Sequence, residues 1–483
     1  MSKTLDLTQA QLFLDEEIIE QTTRLQRVVH QPNKFPGNPV YTVEEGWEGA
    51  GMIYLGGVYI DPADSMWKAW YVTLSPPEYP EIDFAICMIV SSDGIHWERP
   101  ELDVYRGHDG RWTNIVLDLS PAGRTAAPTI IHEPGRKDEP WTMFISLCSP
   151  VESTHYLGYI LRSSDGVHWR WVNQIPDGLE HGFHDRTTAF KCDDPEFPYV
   201  MIGRGKEDIY KWGLERAAHR CAGNENGVDG EPTRVVTQEL EDDPHGQIYH
   251  AQGFAYESTY IGLFQWYWET DDPYGEMELL TSRDTVNWSR VRPRRVFLPR
   301  GRPGEFDSHI TDTALSPPIR TPQAAQPIST TESLWFYYWG GPAMHGNRHL
   351  PYGRGMGLAH LRADGFCSLR ASRFDGTLVT KPIKWPGGSL ILNATCLGGS
   401  GAGSLKVEVL TDDLKPIDGL TKDDLDAGPQ DGTRLVQTWG QQPDALDKIT
   451  DETIRLKFYL DNYDLFSFRA GNVNDKKRYV HSD

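Results

Sequence analysis

Three segments of one pattern constrain this chain more than any other feature: SSDGIHW at 91–97, SSDGVHW at 163–169 and SRDTVNW at 282–288. Recurrence of a turn signature marks a repeat architecture, in which one supersecondary unit is stacked several times. Trp97 and Trp169 are 72 residues apart, and Trp169 and Trp288 are 119 apart, so the longer interval holds two units. The copy that has lost its signature is expected near 205–225. Each intact copy follows an apolar strand, DFAICMIV before the first and LGYILR before the second. A short polar side chain at such a turn bonds its own backbone, so these aspartates read as structural, with the Trp packing back on the sheet.

A second series sets the number of units. Five apolar strands, KAWYV (68–72), WTMFIS (141–146), YVMIG (199–203), YIGLFQWY (260–267) and LWFYYWGG (334–341), each follow a more mixed strand, near 58–62, 129–134, 189–195, 253–258 and 313–318. Helical periodicity is weak throughout, and 16 Trp, 21 Tyr, 17 Phe, 46 Gly and 33 Pro suit short strands and tight turns. The expected fold is all-β. Residues 41–362 form a five-bladed β-propeller, and 1–40 form an N-terminal strap packed on it. Residues 363–483, with two-residue alternation in GFCSLR, GGSLILNA, GSLKVEVL, TIRLKFYL and LFSFRA, form a C-terminal β-sandwich.

Net charge of -22 argues against nucleic acid, whose binding needs a basic surface. The first residues lack the apolar core of a secretory signal and no segment reads as a membrane span, so a cytoplasmic protein without membrane contact is expected. Six scattered cysteines without a C-x-x-C pair read as free thiols. Neither H-E-x-x-H nor an EF-hand spacing is present; no metal site and no cofactor are expected, and a homo-oligomer is left open.

In a propeller the segments leading into the innermost strands converge on a central funnel. Those lead-ins nominate Trp47 and Glu48, Arg124, His184 with Asp185 and Arg186, Tyr249 with His250 and Gln252, and Glu305, Asp307, His309 and Asp312. Trp266 and His345 complete the expected substrate contacts. Carboxylates from different blades beside His, Arg and aromatic groups suit glycoside hydrolysis. One carboxyl protonates the leaving oxygen while another attacks or activates water. Asp185 and Asp307 are the expected central pair and Glu48 the third acid; Trp47, Arg124, His184, Arg186, His250, Gln252, Trp266, His309 and His345 are the expected substrate-binding residues. The competing readings are a surface ion pair for Asp185 and Arg186, a turn cap for Asp307, and core packing for the histidines and for Trp266.

The turn motif, VVHQPNKFPGNPV, the Trp-Glu at 47–48, FLPRGRPGEFDS at 297–308 and DLFSFR at 464–469 together resemble the superfamily of glycoside hydrolase families 32 and 43, and within it a poorly characterised bacterial group labelled family-32-like. The resemblance implies a propeller followed by a sandwich and a glycosidase with a carbohydrate substrate. The W-M-N-D-P-N-G, R-D-P and E-C motifs of fructosidases are absent, and Asp185-Arg186 is followed by Thr, which directs the expectation away from fructan and sucrose. A phosphorylase, with Arg124, Arg186 and His250 holding phosphate, a non-catalytic carbohydrate-binding propeller and a protein-interaction scaffold are the alternatives.

Overall fold

The computed structural model describes residues 5–43, 46–49, 51–52, 54–74, 84–119, 125–148, 156–174, 187–204, 216–230, 232–243, 245–268, 270–321, 331–343, 353–372, 375–398, 402–428, 431–442 and 444–471. Within them the chain is all-β, relieved by two short 3-10 turns at Gly46–Glu48 and Asp447–Ile449. No helix among the described residues is long and apolar enough to cross a membrane.

Five antiparallel meanders follow one another, each built as the sequence pairs predict, with a mixed strand followed by an apolar one. Their first two strands are Tyr54–Ile60 and Trp67–Leu74, Thr125–His132 and Trp141–Cys148, Thr188–Lys191 and Tyr199–Arg204, Gly246–Tyr256 and Thr259–Trp268, and Ile310–Thr313 and Ser333–Gly341. Third strands at Phe84–Ser91, Tyr156–Ser163, Ala218–Asn224, Tyr274–Ser282 and Gly355–Arg362 follow. The first strands of meanders one to four pack against each other in turn, and Ser333–Gly341 of the fifth packs back on Tyr54–Ile60 of the first. The outer edge of the fifth meander is completed from the start of the chain: Asn33–Lys34 and Tyr41–Thr42 pair antiparallel with Gly355–Arg362.

The repeated turn joins third strand to fourth. In the first copy Ser91 Oγ accepts from the backbone N–H of Gly94 at 2.9 Å, Asp93 Oδ1 from those of Ile95 and His96 at 2.8 Å, and Trp97 Nε1 donates to the Gly94 carbonyl at 3.1 Å. The copies at Asp165 and Asp284 repeat this pattern. The turn also locks neighbouring meanders together. Tyr337 of the fifth donates to the Gly94 carbonyl at 2.6 Å, and Trp70 of the first donates to that of Gly166 at 2.8 Å. Glycine is needed there twice over: φ is +76° at Gly94 and +78° at Gly166, and a Cβ would stand 2.6 Å from Tyr337 Oη or Trp70 Cζ2. In the third meander the corresponding turn is Asn224–Gly227, which runs past the end of the expected 205–225 window.

Burial pushes the Asp93 and Asp165 carboxyls up, but the hydrogen bonds from His96 or His168, the turn N–H groups and the serine outweigh it and hold both at about 2. The unfolded chain thus binds protons that the folded one does not. The stabilisation is complete above the ordinary carboxylate range and is lost as pH falls through about 2. Both carboxyls are largely solvent-facing, so each turn contributes about 1 kcal/mol or less. Thermal melts between pH 5 and pH 2 are expected to fall less steeply for Asp93→Asn and Asp165→Asn than for the parent; parallel curves would rule the effect out.

After Arg362 two sheets share one apolar cluster. One holds Cys367–Ala371, Ser389–Cys396, Gly432–Gln437 and Tyr463–Gly471; the other holds Gly376–Thr380, Ser404–Thr411 and Thr453–Asp461. Residues of the 1–40 segment enter both: Gln11–Leu12 and Gln26–Val29 pair with the first sheet, Ile19–Thr23 with the second, and Leu7, Phe13, Ile18 and Ile19 lie in the shared core. Cys87, Cys192, Cys221, Cys367 and Cys396 are free thiols.

Candidate active site

The lead-in carboxylates divide into two kinds of environment. The 3-10 turn Gly46–Glu48 carries Glu48 into complete burial. Its Oε1 accepts from the hydroxyls of Tyr41, at 2.6 Å, and Tyr71, while Oε2 accepts from Arg99 Nη1 at 3.1 Å. Trp47, also buried, donates Nε1 to Asn114 Oδ1 at 2.9 Å, and Asn114 Nδ2 donates to Tyr71 Oη at 3.0 Å. Burial first, and then the Glu48 charge, push the Tyr41 and Tyr71 hydroxyls far above their ordinary range, so both remain donors. This is a closed hub tying the N-terminal strand to the first meander.

Asp307 is likewise 1% exposed. Its Oδ2 accepts from Lys34 Nζ at 2.5 Å and from Tyr338 Oη at 2.9 Å. Two glycines make the room: a Cβ at Gly340 would stand 2.4 Å from Asp307 Cβ, and one at Gly301 would stand 2.0 Å from Oδ1. The ion pair clamps the edge strand Asn33–Lys34 to the fifth meander. The partners of Glu48 and of Asp307 described above are different residues, on different strands. Hydrogen-bonding capacity, which a buried carboxylate must satisfy, draws each into its own meander.

A different pair does meet. His250, on the first strand of the fourth meander, and Asp312, on that of the fifth, are both buried, and His250 Nδ1 donates to Asp312 Oδ2 and Oδ1 at 2.9 and 3.0 Å. Gln252, two residues along the same strand, donates to Thr313 Oγ1. The Asp312 bond fixes the His250 tautomer, leaving Nε2 to accept a proton or, once protonated, to donate one. Nε2 is buried without a hydrogen-bond partner among the described residues. An unsatisfied buried nitrogen costs about 1–3 kcal/mol and calls for a functional explanation. The indole Nε1 of Trp339, the cross-strand neighbour of Asp312, is also buried without a hydrogen-bond partner among the described residues.

Beside His250, the Tyr249 and Tyr267 rings lie 4.9 Å apart, tilted by 34°, and the guanidinium groups of Arg204 and Arg216 stand 4.7 and 5.1 Å from the Tyr249 ring. Arg216 Nη1 is buried with no hydrogen-bond partner among the described residues. Neither arginine belongs to a motif. The one signal for Arg204 is a polar residue closing the apolar strand Tyr199–Arg204.

His309 lies outside this group, with Nε2 3.1 Å from Asp272 Oδ1 at an exposed position. Trp266 is packed in the core between the third and fourth meanders, with the Arg290 guanidinium 4.4 Å from its ring. Strand alternation sets it on the opposite face from Gln265 and Tyr267. Arg124, His184, Asp185, Arg186 and His345 lie outside the described residues.

No family model matches the chain, and no curated protein matches it. Solved structures with a similar course include one described as a glycoside hydrolase, 12% identical, covering 71% of this chain and 92% of its own, with a TM-score of 0.41. A thermostable family-43 glycoside hydrolase is 11% identical over 65% of this chain and 92% of its own, TM-score 0.41. An exo-beta-1,3-galactanase from Phanerochaete chrysosporium, solved with galactose, is 11% identical over 89% and 99%, TM-score 0.41. Overlaps this loose leave the functional reading to the residues themselves.

Proposed function

We propose that this chain is a glycoside hydrolase, with residues 41–362 closed into a five-bladed propeller and a β-sandwich following from 363. Closure is supported by the packing of Ser333–Gly341 on Tyr54–Ile60, by the Tyr337 bond to Gly94, and by the outer strand that residues 33–42 lend to the fifth meander. The observation that carries the reading is the His250–Asp312 couple: a buried, oriented imidazole with one uncommitted nitrogen, on adjoining innermost strands. Imidazole so held is suited to hydrogen-bond a sugar hydroxyl or move a proton at Nε2. Tyr249, Tyr267, Arg204 and Arg216 supply the aromatic and donor-rich wall that a polyhydroxylated ring requires. Asp185, on the lead-in to the third innermost strand, supplies the carboxylate that glycosidic cleavage needs. Glu48 and Asp307 serve to hold the meanders.

Arg216, without a carboxylate partner among the described residues, favours one second reading, in which an oxyanion enters and the bond is split by phosphate. A panel of aryl glycosides and neutral oligosaccharides, incubated with and without inorganic phosphate, separates the two. Reducing ends released without phosphate are expected. Turnover only with phosphate makes the enzyme a phosphorylase, and binding without product makes the chain a carbohydrate-binding protein.

A further inference from the structure

Trp266 leads to a second site. On the face of the fourth meander opposite Tyr267, Trp266 and Trp268 line a cavity of about 350 Å³ with Asp242, Asp243, Glu276 and Glu278. We infer that this cavity is a binding site for a neutral saccharide unit, separate from the His250–Asp312 couple and additional to the catalytic reading above, on which the choice of carbohydrate rests.

Charge accounting selects the ligand class. Asp242 is already held by Arg290 Nη1 at 2.8 Å and Arg294 Nη1 at 2.5 Å, Glu278 by Arg294 Nε at 2.6 Å, and Glu276 by the Arg300 backbone N–H at 3.1 Å. An entering cation would have to compete with these guanidinium groups, and an entering anion would face five carboxylates, Glu241 included, against the two guanidinium groups of Arg294 and Arg295. A neutral polyol meets neither obstacle: its hydroxyls donate to carboxylate lone pairs left over by the arginines, and its C–H face covers an indole. The indole is held ready. Trp268 lies 4.7 Å from Tyr274 at an interplanar angle of 15°, and the Arg300 guanidinium stands 3.7 Å from the other ring, so Trp268 is clamped before a ligand arrives. Such pre-ordering removes much of the entropic cost of binding. The volume falls at the small end of the range for ligand pockets, about 300–1,000 Å³, and suits one or two sugar rings. The floor is kept open by Gly246, where a Cβ would stand 3.1 Å from Trp268 Nε1 and 3.4 Å from Trp266 Cε3.

The test is calorimetric titration of the full-length protein with lactose, cellobiose, maltose and xylobiose, on the parent, Trp268→Ala, Gly246→Val and His250→Asn, each first shown to melt cooperatively. Trp268 is only partly buried and packs against the edge of the core, which makes the cooperative melt of Trp268→Ala the necessary control. The expected result is binding of at least one disaccharide with Kd of about 1 mM, weakened roughly tenfold or more by Trp268→Ala and by Gly246→Val, and kept by His250→Asn. Binding that His250→Asn removes and Trp268→Ala leaves intact overturns the inference while sparing the catalytic reading. So does an absence of any disaccharide binding in a protein that still cleaves glycosides. Cavity binding in a protein that cleaves nothing upholds the inference and rejects the catalytic one.

Discussion

Asp312→Asn is expected to lower kcat by roughly 10²–10⁴-fold with little change in KM, once a cleaved glycoside is in hand. The amide keeps the size of the carboxylate and still accepts from His250 Nδ1, but it no longer supplies the negative charge that stabilises imidazolium during proton transfer. Asp312 therefore acts as a positioning residue through His250. Its effect is to appear in the pH profile: the limb set by the imidazole shifts or vanishes in Asp312→Asn. In His250→Asn the loss is expected to be of similar size, and in the double variant no larger, because two residues serving one proton transfer are not additive. A purely structural couple would instead lower the melting temperature and leave kcat per folded molecule and the pH profile unchanged. That outcome would remove the imidazole from the mechanism and leave the carboxylate of Asp185 to be tested alone.

The architecture was more legible in the sequence than the site, and the reason is physical. The turn SSDGIHW announces itself because several backbone bonds, a left-handed glycine and a packed Trp all require specific residue types within seven positions. The five pairs of mixed and apolar strands are legible for the same kind of reason: two-residue periodicity is local. What the sequence does not carry is which carboxylate stays open. Glu48, flanked by Gly46 and Gly49, reads as a strand opening toward an axis, yet its partners Tyr41, Tyr71 and Arg99 come from three separate strands or loops that spacing does not relate to it. Asp307 is satisfied by Lys34, 273 positions away. Asp312 and His250 were both visible in their lead-ins, but their pairing across 62 positions was not. The 1–40 segment is a similar case, since its strands IEQTT and QRVV carry no two-residue alternation and their pairing edges lie more than 300 positions away.

Glu48→Ala is expected to destabilise the protein by about 3–5 kcal/mol. Removing the carboxylate takes one acceptor from the Tyr41 and Tyr71 hydroxyls and from Arg99 Nη1 and leaves an empty volume, and a buried donor that loses its acceptor bears its full desolvation cost. Glu48→Gln is the informative companion. Its carbonyl oxygen still accepts from both tyrosines, but its amide N–H₂ faces Arg99 Nη1, donor against donor, so an intermediate loss of about 1–3 kcal/mol is expected. Pairing Glu48→Gln with Arg99→Gln should recover part of that loss, because an amide oxygen then replaces the guanidinium N–H and the buried charge has gone with its partner. Urea melts of the parent, Glu48→Gln, Arg99→Gln and the double variant give the cycle, and kcat per folded molecule is measured alongside. A hub predicts melting points that fall and turnover per folded molecule that holds. The opposite pattern, unchanged melting with lost turnover in Glu48→Gln, would place Glu48 among the catalytic acids after all.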